Sequence, residues 1–390
     1  MPERRRHPAR SLVYIAHARI PSQRTNSLQV MKMCAGFAAA GAATRLVIPF
    51  RPRDWFRLRF RGRQVRDWYA VGPTFAITSL AYPNLGRRLG GYGFWAALLA
   101  RRLRPDLVYT RSLAAACRLA AWNQPVVFET HDLGKDQALP EWPGFLDDTL
   151  DRPAFRGLVA ISRGLAEAYQ AAGAPSEKLH VLHDGVDLER FQGALDRAEA
   201  RSRLGLDLHG RVICHVGNMS AGRGIDVLLR AVAGIPAVTL VLVGGRPEEI
   251  AAHAGLAAAL GVAERVRFTG YVSNRQVPLY LWAADVLVLA ATAASPIAAF
   301  TSPLKLFEYM AAGRPMVAAK LATIGEVLRQ EDNALLVEAG SAEALRDGIQ
   351  RLLNDPALGE KLARRARIEV ERYSWQARAA AILERFGPGA

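Results

Sequence analysis

The chain has 390 residues, of which 51% are apolar, so it is too long for one ordinary core and has enough apolar residues to fill two. Lysine and arginine number 51 against 36 aspartates and glutamates, and the net charge of +15 predicts an anionic partner or surface. Three scattered cysteines show no metal-ligand spacing, and the opening stretch MPERRRHPAR does not resemble a signal peptide, so we expect a reduced, cytoplasmic protein.

Short apolar runs alternate with helical patterns along most of the chain, which is typical of βα units and parallel sheets. In the first half we predict strands at residues 11–17, 44–50, 106–110, 125–130, 157–162 and 179–185. In the second half we predict strands at residues 211–217, 238–245, 265–270, 285–291, 315–319 and 334–338. The fold class is therefore α/β, with two doubly wound domains. A polar stretch between the halves predicts a first domain of residues 1–195 and a second of 196–390. We also expect the last helix to pack back on the first domain.

The segment RPRDWFRLRFRGRQVRDWY, from Arg51 to Tyr69, carries seven arginines against two aspartates, interleaved with five aromatic residues. Arginine with interfacial aromatics suits an anionic lipid headgroup layer, where each cation contributes about 1 kcal/mol. Nucleic acid is a competing partner, because the same side chains bind phosphates and stack on bases. A solvated arginine-rich loop is the third reading. We favour the membrane surface.

The stretch PVVFETHDLG places Glu129, His131 and Asp132 at the carboxyl end of a predicted strand. Ligands of open parallel sheets bind outside the carboxyl ends of the strands. His131 is therefore a candidate substrate contact, although a lone histidine can also be an ordinary packed or surface residue.

The longest apolar run, from Leu279 to Phe300, has about the length of a membrane span. Asp285 and Pro296 interrupt it, and alanines dominate its composition. We therefore expect a buried strand with flanking loops.

A glycine-rich turn follows the predicted strand at residues 211–217, in the stretch VGNMSAGRGIDVLLRA. It nearly matches the phosphate loop of nucleoside triphosphatases, but Arg223 replaces the lysine and Gly224 replaces the hydroxyl residue that would hold magnesium. A triphosphatase is therefore not predicted. An arginine in such a turn is suited to clamp a phosphate without a metal. The alternative is that Arg223 only caps a strand edge.

The stretch TSPLKLFEYMAAGRPMVAA, residues 301–319, has the pattern of a helix start, a helix and a strand. Ser302 is a good N-cap and Pro303 suits the first helical position. The amides of Leu304 and Lys305 are then free donors at the positive end of the helix dipole, where phosphate binds.

Glu308 follows Lys305 by three residues and so lies on the same helical face. Its carboxylate repels phosphate but can accept hydrogen bonds from the two adjacent hydroxyls of a ribose. Gly313 is expected to end this helix. The alternative is a surface ion pair between the two side chains on an ordinary amphipathic helix.

The order of these blocks resembles that of the family 4 glycosyltransferases. The resemblance covers about residues 110 to 385 well and the first hundred residues loosely, and the block from His183 to Phe191 is its most specific part. The matching blocks are FETHDL, AISRGL, VLHDGVDLERF, HVGNMSAGRGIDVLLRA, LVLVGG, VRFTGYVSNRQVPLYLWAADVLVLA and SPLKLFEYMAAGRPMVAA.

Membership of that family implies two facing Rossmann-like domains, the GT-B fold, and sugar transfer with retention and without a bound metal or cofactor. By the same resemblance Glu308 binds the donor ribose, Arg223 and Lys305 the diphosphate, and His131 the donor sugar near the reacting carbon. The further donor contacts that the resemblance implies are Gly217, Asn218, Gly224, Gly270, Tyr271, Val272, Thr301, Ser302, Pro303 and Leu304.

The sequence departs from the family pattern at three places. The family often has a glutamate eight residues before the second one, where this chain has Phe300, and an arginine where it has Asn218. The loop ARIPSQRTNSLQVMK lacks the usual double glycine, and Thr25, Asn26 and Ser27 are candidates to line the acceptor site in its place.

The sequence therefore predicts a retaining hexosyltransferase that uses a nucleoside diphosphate sugar, with uridine as the expected base. The acceptor is expected to be a glycan or a lipid-linked molecule, and the enzyme to be cytoplasmic, peripheral on the inner face of the membrane. Nucleic acid is not the expected partner. Two alternatives stay open: a nucleotide-sugar epimerase on the same fold, and a non-catalytic basic binding module in which Phe300 marks a lost donor site.

Overall fold

The computed structural model describes residues 10–83, 91–205, 210–294 and 298–388. Its contacts divide the chain into two compact units. The first comprises the described residues up to Asp184 together with those from Trp375 onward, and the second runs from Gly185 to Ser374. The chain therefore leaves the first unit once and returns to it at the end. The opening MPERRRHPA lies outside the described residues.

The first unit contains a parallel sheet of seven strands. The strands are β1 (Ser11–Ile15), β2 (Ala43–Pro49), β3 (Ala76–Leu80), β4 (Leu107–Thr110), β5 (Val126–Thr130), β6 (Phe155–Ala160) and β7 (Leu179–Val181). Their order in the sheet is β3-β2-β1-β4-β5-β6-β7, which is the Rossmann order with one added strand. Most of these strands are apolar and buried on both faces, as a parallel sheet between helical layers requires.

Within the described residues of the first unit, seven helices lie between these strands. They are α1 (Thr25–Ala39), α2 (Pro52–Trp68), α3 (Tyr92–Leu103), α4 (Leu113–Ala121), α5 (Leu133–Gln137), α6 (Trp142–Gly144) and α7 (Arg163–Ala171). Ser112, Asp132 and Ser162 cap α4, α5 and α7, and each side chain accepts a hydrogen bond from a backbone amide three residues later. Such caps begin the helices close to the carboxyl ends of the strands.

The second unit has a parallel sheet of six strands. The strands are β8 (Arg211–Val216), β9 (Val238–Val243), β10 (Val266–Gly270), β11 (Val286–Leu289), β12 (Met316–Ala319) and β13 (Leu335–Val337). Their order, β10-β9-β8-β11-β12-β13, is again that of a Rossmann domain. The two predicted doubly wound sheets are confirmed, and all twelve predicted strands are present.

Eight helices cover this second sheet. They are α8 (Arg197–Leu204), α9 (Ile225–Ala233), α10 (Pro247–Ala259), α11 (Val277–Ala283), α12 (Leu304–Ala312), α13 (Ala322–Gly325), α14 (Ala342–Asn354) and α15 (Pro356–Glu369). Two apolar cores pack against the sheet. One includes Phe307, Met310 and Trp282, and the other includes Leu228 and Ile349.

The last helix, α16 (Trp375–Phe386), belongs to the first unit and packs on α1. Two glycines let it approach closely. A Cβ added at Gly36 would lie 2.5 Å from the carbonyl oxygen of Trp375, and one at Gly157 would lie 2.7 Å from the ring of Phe386. Both ends of α16 are thus fitted into the first unit.

The arginine-rich segment from Arg51 to Tyr69 is helical over most of its length, as α2, but the helix is kinked at Arg61, where φ is −132° and ψ is 29°. Pro52 at its first position and the good helix propensity of arginine account for this. Trp55, Phe56 and Phe60 are 40%, 59% and 65% exposed.

The apolar run from Leu279 to Phe300 contains the buried strand β11, as predicted, but the residues before this strand form most of α11 and not a loop. Pro296 lies outside the described residues. Within the described parts of the chain, no helix combines the length and the apolar character needed to cross a membrane.

Candidate active site

The turn after β8 is built from glycines that other side chains and backbone atoms approach closely. Gly217 and Gly224 have φ angles of +133° and +72°, which side-chain-bearing residues rarely adopt. A Cβ at Gly224 would lie 1.7 Å from the carbonyl oxygen of Ala290. One at Gly217 would lie 2.7 Å from Nζ of Lys305. The turn therefore needs glycine at both positions. The end of the Lys305 side chain lies against the backbone of the turn at Gly217.

Arg223 lies in this turn and donates from Nε to Oδ1 of Asn218, at 3.1 Å. The same oxygen accepts a hydrogen bond from Ser220 Oγ, at 3.0 Å. Burial lowers the pKa of the Arg223 guanidinium. Among the described residues, Arg223 has no carboxylate partner. Its remaining donors are available to an anionic ligand.

The helix α12 begins one residue later than expected. Its N-cap is Pro303, and the first helical residue is Leu304. The prediction that Ser302 caps the helix and that Pro303 is its first residue is wrong, because the chain enters the helix in an extended conformation at Pro303. Lys305 is accordingly the second helical residue. Gly313 ends the helix with a φ of +63°, as predicted.

Lys305 extends to His215, a fully buried side chain on β8. Its Nζ lies 3.1 Å from His215 Nε2, and His215 Nδ1 lies 3.0 Å from the carbonyl oxygen of Val288. A carbonyl only accepts, so Nδ1 carries the ring proton and Nε2 offers a lone pair to the lysine. Burial and the charge of Lys305 hold the pKa of His215 well below its usual range. The ring is therefore neutral.

The pKa of Lys305 is lowered to about 7, first by burial and then by the positive charge of Arg223. The negative charge of Glu308 acts in the opposite direction. Arg223 and Glu308 thus both act on the Lys305 amine. We call Lys305, Arg223, Gly217 and Asn218 together the cationic turn.

Glu308 forms an ion pair with Arg190, whose Nη1 lies 2.9 Å from Glu308 Oε1. The two side chains are only 10% and 15% exposed. Arg190 also donates from Nη2 to the backbone carbonyl of Asn274. In the part of the chain that the structure describes, Arg190 Nε and Asn274 Oδ1 are buried without a hydrogen-bond partner. Unpaired buried polar atoms beside Glu308 suit a polar ligand.

The other predicted donor contacts lie around the carboxyl ends of the strands of the second unit. Gly270 ends β10 with a φ of +65°, and its carbonyl accepts from the amide of Gly244 at 2.8 Å. Tyr271 is 45% exposed, whereas Val272 is half-buried and packs on the core. Ser302 is buried; the half-buried residues are Phe300, Thr301, Pro303 and Leu304.

His131 belongs to the first unit, directly after β5. Its Nε2 lies 2.7 Å from Oε1 of the buried Glu129. Burial, then the charge of Arg111, lowers the pKa of His131 to about 4, although Glu129 opposes the shift. The imidazole is therefore neutral at neutral pH. Since a carboxylate only accepts, Nε2 donates to Glu129 and Nδ1 is left with its lone pair.

Glu129 is held by a second buried residue, Arg378 of α16. The Arg378 Nη2 atom lies 2.8 Å from Glu129 Oε2, and the Tyr109 hydroxyl donates to the same oxygen. The charge of Arg378 and the hydrogen bond from His131 hold the pKa of Glu129 well below its usual range, against the effect of burial. Arg378 also donates to the carbonyl oxygen of His183, at 2.8 Å. The last helix thus neutralises the carboxylate that orients His131.

Thr25, Asn26 and Ser27 form the first turn of α1 and do not lie in a loop. Ser27 Oγ donates to the carbonyl oxygen of Arg19, at 2.7 Å. Asn26 Oδ1 is buried and has no hydrogen-bond partner among the residues that the structure describes. Asn26 thus offers a buried acceptor that no described residue satisfies.

Three site residues were not predicted from the sequence. His215 lies inside a predicted apolar strand, where nothing distinguishes it from a packed residue. Arg190 precedes Phe191 in a specific block of the sequence, and that position was the available signal. Arg378 lies on an amphipathic terminal helix whose partners are far away in the sequence.

Two family models match this chain. The model described as Glycosyltransferase Family 4 matches residues 28–190, and the model described as Glycosyl transferases group 1 matches residues 210–355. Together they span most of both units.

Among curated proteins, the chain is similar to the D-inositol 3-phosphate glycosyltransferase of Xylanimonas cellulosilytica. The two are 31% identical over 281 residues, which are 67% of this chain and 66% of that protein. The chain therefore spans just under two thirds of the length of this relative.

Among solved structures, HepE of Anabaena in complex with UDP superposes with a TM-score of 0.75 at 20% identity, over 96% of this chain and 98% of that chain. The same protein in complex with UDP-glucose gives a TM-score of 0.72 at 18% identity, with the same coverage. The sucrose-phosphate synthase of Thermosynechococcus elongatus gives 0.71 at 20% identity, again over 96% and 98% of the two chains.

Proposed function

The chain belongs to the family 4 glycosyltransferases and has their two-domain GT-B fold, and from that premise we propose that it transfers a sugar from a nucleoside diphosphate sugar to an acceptor hydroxyl with retention. The observation that carries the proposal is the cationic turn. Arg223 and Lys305, two cations without a carboxylate partner among the described residues, lie together at a glycine turn and a helix start. Such a place suits a diphosphate.

At the diphosphate, the proposed contacts come from charges and from backbone donors. Arg223 supplies the guanidinium and Lys305 the amine. The first amides of α12 have no acceptor inside the helix and add the positive end of its dipole. As the sugar–phosphate bond breaks, negative charge develops on the departing diphosphate, and these groups stabilise it. We propose that they do so without a metal.

At the nucleoside, Glu308 is the proposed ribose contact. Arg190 occupies Oε1, and Oε2 has no partner among the described residues, so it can accept from the ribose hydroxyls. The segment Gly270-Tyr271-Val272 is the proposed base contact. We propose uridine as the base, since HepE, which has the same fold, binds UDP and UDP-glucose.

At the sugar, His131 is proposed to contact and position the donor. Its neutral ring has a lone pair at Nδ1, which can accept a hydrogen bond from a sugar hydroxyl. A residue held neutral this strongly is suited to orient a hydroxyl rather than to take the acceptor proton. We propose that the acceptor attacks on the face of the leaving group, where a phosphate oxygen takes that proton.

The experiment that tests the donor site is thermal unfolding with UDP, GDP, ADP and dTDP separately, in the presence of EDTA. A ligand at about a hundred times its Kd stabilises the folded state by roughly 2.7 kcal/mol. We expect UDP to raise the melting temperature and the other nucleotides to have less effect. The double variant Glu308→Ala, Arg223→Ala should lose the shift.

A matched control for this experiment is Glu264→Ala, Arg230→Ala, which removes the same charges from exposed positions of the same unit. It should retain the shift. No shift with any nucleotide, or a shift that survives in the site variant, would contradict the proposal and favour a basic binding module. A 2′-deoxy form of UDP should bind more weakly than UDP, and Glu308→Gln should reduce that difference.

For the acceptor, we propose a glycan or lipid-linked molecule at an anionic membrane surface. The helix α2 supports this, because it exposes Trp55, Phe56 and Phe60 among arginines. Asp54, one of its two aspartates, is buried and paired with Arg19, at 3.0 Å. The exposed side chains of the helix therefore carry a higher net positive charge than the whole helix does.

The membrane proposal is tested by sedimentation with vesicles that contain anionic lipid. Replacing Arg57, Arg59, Arg61 and Arg63 by Ser should abolish binding. A control that replaces Arg102, Arg156, Arg230 and Arg364 by Ser lowers the net charge equally at other exposed positions. It should retain most of the binding. Equal binding by the two variants would overturn the assignment to α2.

A further inference from the structure

We propose that His215 is a positioning residue for Lys305, and that a nucleoside diphosphate bound at the cationic turn brings a proton onto the Lys305 amine. This inference rests on the proposed function, because it assigns a proton step to the same donor site.

The position of His215 is fixed on both sides of its ring. It is 0% exposed, on the strand β8 between β9 and β11. Nδ1 donates to the Val288 carbonyl of β11, at 3.0 Å, and Nε2 accepts from Lys305, at 3.1 Å. A buried ring bonded at both nitrogens has one orientation. It therefore offers Lys305 one acceptor at one fixed place.

That place lies over the glycine turn. A Cβ at Gly217 would lie 2.7 Å from Nζ and 2.9 Å from Cε of Lys305. The end of the lysine side chain thus runs along the backbone of the turn that carries Arg223. His215 holds the amine where the two cations can share one diphosphate.

The charges around the amine do not neutralise it. Arg223, in the turn before α9, repels it, and Glu308, on its own helix, attracts it but is engaged by Arg190. His253 of α10 lowers the pKa of His215 slightly further. Among the described residues, no carboxylate lies within 4.0 Å of Lys305 Nζ.

A half-buried ammonium group with a neutral acceptor and a neighbouring guanidinium is poorly stabilised. The pKa of Lys305, at about 7, is consistent with this. A bound diphosphate supplies the missing negative charge and favours the ammonium form. The nitrogen lone pair then takes a proton from the buffer acid, forming one N–H bond, and the buffer is left as its conjugate base.

The test is titration calorimetry with UDP at pH 8.3, in three buffers that differ in ionisation enthalpy, such as HEPES, Tricine and Tris. The terminal phosphate of UDP, with a second pKa of about 6, is fully ionised there and releases no proton. The slope of the observed enthalpy against buffer enthalpy gives the number of protons taken up. We expect close to one for the wild-type protein, and none for Lys305→Met.

The role of His215 is tested with His215→Leu and His215→Gln. We expect His215→Leu to weaken UDP binding about tenfold while uridine, which lacks phosphate, binds as before. His215→Gln keeps a polar acceptor and should recover part of the loss. A merely structural role would lower the melting temperature of His215→Leu and leave the ratio of UDP to uridine affinity unchanged, which would overturn the positioning role.

The remaining outcomes separate this inference from the proposed function. If UDP binds without proton uptake at pH 8.3, or if Lys305→Met takes up as many protons as the wild type, the proton step is wrong and the donor site stands. If no nucleotide binds the wild-type protein, the donor site itself is wrong, and the proton step fails with it.

Discussion

Arg190 and Glu308, 118 positions apart in the sequence, form an ion pair of 2.9 Å in which both side chains are nearly buried. The pair connects the turn before Phe191 to the helix α12. Arg190 donates to one carboxylate oxygen of Glu308 and also to the backbone carbonyl of Asn274. It therefore fixes the direction in which the carboxylate of Glu308 points.

Replacing Arg190 by Met should leave that carboxylate without its partner. A buried charged group left unsatisfied costs about 1–3 kcal/mol or more, so the free energy of unfolding should fall by about that amount, and the Kd for UDP should rise. Urea unfolding and titration with UDP measure the two effects.

Two further variants show whether the loss of stability comes from the unpaired buried charge. Arg190→Met combined with Glu308→Gln should recover part of the stability, since no unpaired charge remains. Arg203→Met removes the arginine of an exposed pair with Glu199 and should cost less than about 1 kcal/mol. Equal losses for Arg190→Met and Arg203→Met would show that the buried pair has no special role.

Arg223→Ala should weaken binding of the diphosphate part of the donor alone. A hydrogen bond to a charged group contributes about 1.5–3 kcal/mol, so the Kd for UDP should rise roughly tenfold to a hundredfold. The Kd for uridine should not change. Arg230→Ala on the following helix is exposed and serves as the control. A parallel loss of uridine affinity would mean that Arg223 shapes the turn rather than binding phosphate.

His131 should make the first unit sensitive to mild acid. Its folded-state pKa of about 4 lies below the value of about 6.5 in an unfolded chain. Between these values the unfolded chain binds a proton that the folded protein does not, so stability falls as the pH falls from about 6.5 to 4.

In His131→Gln, whose side chain can still donate to Glu129, this contribution is absent. The difference in unfolding free energy between pH 7 and pH 4.5 should therefore shrink by a few kcal/mol, at about 1.4 kcal/mol per unit of pKa shift. Chemical unfolding at a series of pH values measures it. Parallel curves for the two proteins would contradict the assigned pKa.

Arg378→Met should destabilise the first unit strongly. Removing one partner of a buried ion pair costs about 3–5 kcal/mol, because the other charge stays buried. Adding Glu129→Gln should restore part of the loss. Arg372→Met, at an exposed arginine 3.8 Å from Glu369, is the control and should cost little. The midpoint of urea unfolding gives the comparison, and a cost for Arg378→Met as small as the control's would show that Arg111, 3.6 Å from Glu129, is a sufficient counter-charge.

The two sheets could be predicted from the sequence because buried parallel strands are continuous apolar runs. The strand β3, Ala76–Leu80, was missed because it is an edge strand whose residues are mostly half-buried, so its pattern does not stand out. The helix α2 has no readable helical pattern in its sequence, since arginines and aromatics surround its few buried positions, Asp54 and Val65.

The site was predictable where its chemistry is local. Arg223 and its glycines, Lys305 and Glu308 each lie in one short stretch with a readable pattern. The same reasoning could not predict the roles of His215, Arg190 and Arg378. Each of these roles depends on contact with a side chain that lies far away in the sequence, on another element. The predicted start of α12 is one residue too early, because proline is compatible with both the N-cap and the first helical position, and Pro303 is the N-cap.

The return of α16 to the first unit has a consequence for synthesis on the ribosome. When Asp184 emerges, the first unit still lacks Arg378, so Glu129 has only the more distant Arg111, at 3.6 Å, as a counter-charge, and α1 lacks the helix α16 that packs on it. At translation rates of about 5–20 residues per second, this condition lasts roughly ten to forty seconds, until the second unit has been made. The N-terminal unit is therefore the last to be completed, and a chain that stops at Ser374 leaves it unfinished.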